Sequence, residues 1–375
     1  MKVVFTGGGT GGHIYPIIAV SREIKRLSSD QSEMKFFYIG PRDELTANLL
    51  SQEGIKVKAI LAGKIRRYFG IIAVFQNIID IFRTIIGIIQ AFNHLFFLAP
   101  DLVFSKGGFG AFPVVISARI LRIPVILHES DAVSGLANRI TAKFAAAVFV
   151  SFPETENVNA SRVILVGNPI RKEILEGSEE SARKLFGITS NKPVILILGG
   201  SQGARQINDL IIDSLPQLIE YFEIIHQAGI RNFEQTKAEA EVMISKESNK
   251  YYHIYPFLRE VELKHAYKIS DFIVSRAGSG SIFEIAALGK PSILIPLPFS
   301  AQDHQIKNAY AYAKTKAAVV IEKGNLTPNF FIATLRNILA EPKIRKKMET
   351  AARNFSNPRA AEVIANYIIE YSKHR

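Results

Sequence analysis

The chain has 375 residues, 48% of them hydrophobic and 21% charged, which excludes a disordered or fibrous protein and leaves room for two domains with a core each. Its net charge of +12 directs it toward anionic partners, whether phosphates, an acidic membrane surface or nucleic acid. It contains no cysteine, so disulfides, thiol nucleophiles and thiolate metal sites are excluded and a reducing cytoplasm suits it.

Among the anionic partners, nucleic acid ranks last, because no binding motif for it occurs and the basic residues are not gathered in one arm. The run Val3-Val4-Phe5 is too short for the apolar core of a secretion signal. Lys2 to Thr6 reads as a strand, Gly7-Gly8-Gly9-Thr10-Gly11-Gly12-His13 as a turn, and Ile14 to Leu27 has helical periodicity. A strand, a glycine turn and a helix N-terminus make an anion site, since free backbone N–H groups and the helix dipole both face the ligand. Gly7, Gly9 and Gly12 satisfy the GxGxxG dinucleotide fingerprint. That fingerprint also needs an acidic residue at the end of the second strand, and Lys35 to Ile39 ends in Gly40-Pro41-Arg42. Asp43 is a poor substitute, which counts against a nicotinamide cofactor. His13 sits where the turn enters the helix, and a helix N-terminus disfavours an imidazolium there. It is either a general base or a helix cap.

Lys56 to Leu61 is a third strand, followed by the basic segment Lys64-Ile65-Arg66-Arg67-Tyr68. Gly70 to Leu98 is the most apolar stretch. Its polar residues Gln76, Asp80, Arg83, Gln90 and His94, with Asn77, Thr84 and Asn93, form one narrow stripe on a helix. Length alone allows a membrane span, but Asp80 and Arg83 near its middle are costly in lipid. The expectation is a helix partly buried and partly docked in a membrane surface, with Lys64, Arg66 and Arg67 meeting lipid phosphates. Asp101 to Ser105 is a strand, and Lys106-Gly107-Gly108-Phe109-Gly110 a further glycine turn opening a helix. Pro124 to Leu127 leads into His128-Glu129-Ser130-Asp131, polar residues at a strand end that point into a ligand crevice. Ala147 to Val150 and Arg162 to Val166 close this half, and Gly167-Asn168-Pro169-Ile170-Arg171 is the junction.

The pattern then restarts. Pro193 to Leu198 is an apolar strand with the loop Gly199-Gly200-Ser201-Gln202-Gly203-Ala204, where Ser201 can donate to a phosphate. Strands follow at Phe222 to His226, Tyr251 to Tyr255, Asp271 to Ser275, Pro291 to Pro296 and Ala317 to Ile321. The unit after Asp271 stands out: the turn Ala277 to Ser281, a helix over Ile282 to Leu288, and Gly289 as its C-cap. Glu284, one turn inside that helix, is placed to accept two ribose hydroxyls, and Gln305 and Asn308 to meet a sugar. Charged helices end the chain. The fold class is therefore α/β, with two facing Rossmann-like domains spanning 1–167 and 168–375, the last helix packing back on the first.

Six motifs in order carry a resemblance: GGGTGGHIYP at 7–16, GGFGAFP at 107–113, HES at 128–130, GNPIR at 167–171, GGSQGA at 199–204 and SRAGSGSIFEIAALGKP at 275–291. Across nearly its whole length the chain resembles the bacterial family 28 glycosyltransferases that make lipid II for peptidoglycan, and with it cell shape and division. The resemblance implies the GT-B fold, with UDP-GlcNAc bound mainly by the C-terminal domain and the undecaprenyl-linked lipid I acceptor by the N-terminal one. It implies peripheral attachment to the cytoplasmic face of the membrane and no cofactor, and the absence of Asp-x-Asp removes the usual metal clamp. It places Thr10, Gly11 and Gly12 beside the donor, His13 as base with Glu129 the next candidate, and Arg171 and Ser201 on the diphosphate or nucleotide. Ser279, Gly280, Ser281, Ile282, Phe283 and Glu284 hold the nucleotide, Glu284 the ribose. Gln305 meets the sugar, a main-chain uracil contact falls near Leu258, and Asp131 and Asn138 line the substrate site. The chain departs from the family's His-Glu-Gln-Asn at Ser130 and Asp131, and has Phe109 for a frequent Tyr. Other UDP-sugar enzymes of the fold, a diacylglycerol glycosyltransferase or an epimerase, are the alternatives, ahead of a nicotinamide oxidoreductase and a non-catalytic membrane-docked binding protein.

Overall fold

A computed structural model of the protein describes residues 1–8, 11–28, 34–64, 71–200, 203–298 and 303–373. Thr10, Ser201, Arg66 and Arg67, all named above, lie outside the described residues. The chain divides into two units, Met1–Arg171 with Pro358–Arg375, and Lys172–Asn357.

The first unit holds β1 (Lys2–Thr6), β2 (Lys35–Pro41), β3 (Lys56–Ile60), β4 (Leu102–Ser105), β5 (Val125–Glu129), β6 (Ala147–Val150) and β7 (Val163–Leu165). All pair in parallel, in the order β3-β2-β1-β4-β5-β6-β7. Its helices include α1 (Gly11–Leu27), α2 (Glu44–Gln52), α3 (Ile71–Leu98), α4 (Phe112–Ile120) and α5 (Leu136–Thr141). Parallel strands covered on both faces need apolar residues on both sides, and Val3 to Phe5 of β1 and Leu102 to Phe104 of β4 supply them. Val3, Phe5, Leu102 and Phe104 pack toward α1, while Val4 and Val103 pack toward α3 and α4. Burying each such side chain stabilises the sheet by about 1.5–3 kcal/mol.

Asp43 is the N-cap of α2, accepting the Thr46 N–H at 2.8 Å. Its carboxylate therefore closes a helix end rather than awaiting a ribose.

α3 inverts the usual arrangement of a surface helix. Part of its polar stripe, Asp80, Thr84 and Gln90, is turned inward, while Gln76, Arg83 and Asn93 of the stripe and most of the apolar residues face out. Asp80 is buried, Gln90 accepts the Leu61 N–H at 2.7 Å, and Thr84 accepts the Gly63 N–H at 3.2 Å. Ala91 and Leu95 complete the buried side, and Ser117 of α4 donates to the Ile88 carbonyl at 2.9 Å. Phe75, Ile78, Phe82, Ile85, Ile89 and Phe97 are exposed on the other side. Among the described residues, this is the helix long and apolar enough to cross a membrane.

The second unit repeats the plan with β8 (Val194–Leu198), β9 (Glu223–Gln227), β10 (Tyr252–Tyr255), β11 (Phe272–Ser275), β12 (Ser292–Leu294) and β13 (Ala318–Val320), parallel in the order β10-β9-β8-β11-β12-β13. Its helices are α6 (Glu179–Phe186), α7 (Arg205–Tyr221), α8 (Phe233–Met243), α9 (Glu260–Ile269), α10 (Ser279–Leu288), α11 (His304–Ala313), α12 (Pro328–Ala340) and α13 (Pro342–Phe355). The last helix, α14 (Ala360–Lys373), belongs to the first unit. There Ala361, Ile364, Ala365 and Ile368 join the core that contains Ile14 and Ile17 of α1.

Candidate active site

In both sheets the strand order reverses beside the first strand, between β1 and β4 and between β8 and β11. Open α/β sheets bind ligands beyond the strand ends at such a reversal.

In the first unit, β1 runs into the Gly7-Gly8 turn, whose Gly7 carbonyl accepts the buried Tyr38 hydroxyl at 3.1 Å. Gly11 and Gly12 form the first turn of α1, which places His13 at the crevice. The His13 ring rests between the two glycine turns. A Cβ on Gly8 would lie 3.2 Å from it, and one on Gly108 3.2 Å from its Nε2. Gly108 has φ +80, so a side chain there is excluded by strain as well as by the imidazole. Burial, then the neighbouring Lys106, pushes His13 down to about 4, with Asp131 acting in the opposite direction. The imidazole is thus neutral at physiological pH and able to accept a proton.

Glu129 ends β5 buried, and its carboxylate accepts the Asp131 N–H at 3.1 Å, the Gly135 N–H at 3.1 Å and Asn138 Nδ2 at 2.9 Å. Burial and then Asp131 raise its proton affinity against those donors. Its bonds make Glu129 the anchor of the 131–138 loop. Asn138 fits against Gly107, where a Cβ would lie 2.3 Å from its Oδ1, and that oxygen is buried without a partner. Asp131 is partly buried. Arg171 is buried, with its guanidinium over the Tyr15 ring at 4.0 Å.

Sequence reasoning passed over two residues here. Lys106, read as part of a turn, is a buried ammonium 2.5 Å from His128 Nδ1 and from Ser130 Oγ. Asn168 accepts from Lys106 at 3.3 Å, and its Nδ2 is buried without a partner. The available signal was a lysine directly after a strand in which Leu102 to Phe104 are apolar.

In the second unit, α10 begins at Gly278, an extended N-cap with no side-chain cap bond. The N–H groups of Ser279, Gly280 and Ser281 head the helix, and a Cβ on Gly278 or Gly280 would meet open space. The Ile282 N–H bonds the Gly278 carbonyl at 3.1 Å, and the Ile282 and Phe283 side chains are buried, Phe283 against Phe355. These two therefore pack the helix, and the ligand-facing part is the turn before them. Half-buried Glu284 accepts the Tyr267 hydroxyl at 3.0 Å. The Leu258 N–H donates to Gln227 Oε1 at 2.9 Å, so a main-chain contact there falls to its carbonyl. Gln305 Oε1 accepts the Leu297 N–H at 2.9 Å. Asn308, expected to meet a sugar, is fully buried and donates to the Ala277 carbonyl at 3.4 Å. It braces the turn from below. Arg276, also unflagged, donates to the Ile295 carbonyl at 3.1 Å and ties the end of β11 to that of β12.

Two Rossmann-like sheets, each with a glycine turn at its reversal, one bearing a neutral histidine and the other an uncapped helix N-terminus, define the architecture of the two-domain GT-B glycosyltransferases. The profile of the glycosyltransferase family 28 N-terminal domain matches residues 3–150 and that of the C-terminal domain residues 194–364. A UDP-N-acetylglucosamine--N-acetylmuramyl-(pentapeptide) pyrophosphoryl-undecaprenol N-acetylglucosamine transferase of Treponema denticola is 39% identical, over 98% of this chain and 96% of that one. The crystal structure of Acinetobacter baumannii MurG superposes with a TM-score of 0.74 at 26% identity, covering 98% and 99% of the two chains. A UDP-GlcNAc 2-epimerase from Neisseria meningitidis shares the fold, with a TM-score of 0.69 at 17% identity over 99% and 100%. The chain belongs to glycosyltransferase family 28.

Proposed function

We propose that the chain transfers N-acetylglucosamine from UDP-GlcNAc to the C4 hydroxyl of the muramoyl sugar in undecaprenyl-diphospho-MurNAc-pentapeptide, with inversion, converting lipid I to lipid II. The observation that carries this reading is the 39% identity, over nearly the full length of both chains, with a transferase of that name, in a chain whose two sheet reversals both bear glycine turns. His13 takes the proton of the C4 hydroxyl as its oxygen bonds to C1 of the donor sugar. The bond from C1 to the β-phosphate oxygen breaks, and UDP leaves with the electron pair. The second unit holds UDP: the N–H groups of Ser279 to Ser281 take diphosphate charge, Glu284 the ribose, and Gln305 the sugar. Arg171, Asp131 and Asn138 serve the substrate from the first unit, and Thr10 and Ser201 belong to the same set. The purified full chain, given UDP-GlcNAc and a short-chain lipid I analogue, is expected to release one UDP per disaccharide formed. Epimerised UDP-GlcNAc without transfer, or transfer to diacylglycerol alone, would sink the reading.

A polyprenyl acceptor stays in the bilayer, so the enzyme comes to the cytoplasmic surface. The outward side of α3 is the contact, with Lys64, Arg66 and Arg67 adding about 1 kcal/mol each on an anionic membrane. The buried Asp80 and the inward bonds of Thr84 and Gln90 favour a helix lying on the surface over one crossing it. Changing Phe82, Ile85 and Ile89 to Ser is expected to abolish vesicle binding while the soluble acceptor is still used. Changing the three basic residues to Ser should weaken binding to anionic vesicles only. Unchanged vesicle binding in both variants would refute the contact.

A further inference from the structure

Lys106 is a buried ionisable group in the first unit that the reaction above does not use. It follows β4, is 2% exposed, and its ammonium reaches three groups on two separate stretches. These are His128 Nδ1 at 2.5 Å on β5, Ser130 Oγ at 2.5 Å just beyond it, and Asn168 Oδ1 at 3.3 Å in the junction. His128 Nε2 lies 2.9 Å from the Gly167 carbonyl, so the tautomer with the proton on Nε2 satisfies both of its nitrogens. All three partners of the ammonium are neutral. A core gains nothing in stability from a lysine buried among neutral groups, since desolvating the charge is costly. The other flank of Lys106 is His13: a Cβ placed on Gly7 would lie 3.2 Å from His13 Cβ and 3.4 Å from Lys106 Cβ.

We propose that Lys106 is a positioning residue for the transfer step, locking the strand ends together and holding a positive charge beside His13 so that the imidazole meets the acceptor unprotonated. This rests on the reading of His13 as the base. Two adjacent basic groups titrate as a pair, and the first proton suppresses the second. Lys106 lies at about 7, lowered by burial against the pull of Glu129 and Asp131, and His13 at about 4. As pH falls through neutrality the proton goes to Lys106, and its charge then keeps the next one off His13. The other groups facing the pair are His128, which burial and Lys106 keep neutral, the Glu129 and Asp131 carboxylates, and Arg171 stacked on Tyr15 two residues beyond His13. Asp131 partly offsets the effect of the ammonium on His13.

The test uses the full chain as Lys106→Met and Lys106→Gln, with His13 titrated by NMR of labelled histidine and assigned from its loss in His13→Ala. In either variant the His13 midpoint is expected to rise by on the order of one pH unit, and the acid limb of kcat/KM to move with it. An unmoved midpoint in a folded variant overturns the proposal. A moved midpoint with a fixed acid limb shows the coupling but removes His13 as the base, and overturns the proposal together with that reading. In the unsubstituted protein, labelled-lysine NMR should show Lys106 taking its proton before His13 as pH is lowered, and the reverse order overturns the proposal without any substitution.

Discussion

The first six strands of the first unit and the six of the second follow one plan, yet the turns at their reversals are built from different material. In the first unit the crevice is packed with ionisable side chains: His13, Lys106, His128 and Glu129 crowd together, mostly buried. In the second, the equivalent place presents backbone. Gly278 is extended, three N–H groups head α10, and there is open space where side chains would stand on Gly278 and Gly280. Buried, crowded side chains have proton affinities that their neighbours set, so they suit a step in which a proton moves. Main-chain amides do not titrate, but they hold an anion with little reorganisation. One topology thus supports two kinds of chemistry, and the division lies in what fills the turn.

The strongest test of that division is His13→Ala. Turnover should fall by roughly 10²–10⁴-fold while UDP affinity, which the proposed function assigns to the other unit, stays within experimental error. Equal losses in both would mean that the two sites are not separable in this way. Glu284→Ala probes the opposite side. Removing a charge-assisted ribose contact should weaken UDP binding by about 1.5–3 kcal/mol in calorimetry, with the fold retained. Unchanged affinity would leave Glu284 as no more than the acceptor for the Tyr267 hydroxyl.

Smaller effects separate the turns themselves. Gly108→Ala meets both a φ of +80 and the His13 ring, so it should cost at least about 1–2 kcal/mol of stability and displace the imidazole. Gly280→Ala meets open space and should leave the melting temperature nearly unchanged while lowering UDP affinity. Equal melting temperatures for the two variants would erase the contrast. The smallest effect is on acid stability. Burial lowers His13 to about 4 and His226 of the second unit to about 3, both from 6.5. The unfolded chain therefore binds more protons than the folded one below pH 6.5, and stability falls as pH drops from there toward those values. His226, bonded to the Tyr252 hydroxyl at 2.7 Å, is the second unit's share. His226→Gln should melt earlier at pH 7.5 but lose less between pH 6.5 and 4, as thermal scans at each pH would record.

Much of the fold was legible because buried parallel strands read as unbroken runs of β-branched and aromatic residues, and glycine turns mark their ends. Every strand was placed to within two residues, and the Gly289 cap has the expected left-handed φ of 64. What stayed hidden depended on direction and partnership. The stripe on α3 was visible, but not that Thr84 and Gln90 within it face inward, because their partners are backbone groups of Leu61 and Gly63 that leave no residue-type signature. Asn308 looked like a sugar ligand because it follows a strand, whereas the helix turns it beneath the Ala277 carbonyl. Asp43 was read as a poor ribose acid when it is a cap. Lys106 was missed because a lysine next to two glycines is ordinarily solvated. Its burial follows from β5 and the 167–168 turn, which are distant in sequence.

The placement of α14 has a consequence for how the protein is made. Ile364 and Ile368 complete the core around α1, although residues 172–357 form a separate unit in between. At bacterial elongation rates that intervening stretch takes on the order of ten to forty seconds to synthesise. During that interval the first unit is on the ribosome without the helix that closes it, and the apolar side of α1 is open to water and to chaperones. The second unit, whose residues are contiguous, is able to finish first. The half of the molecule that is translated first is therefore completed last.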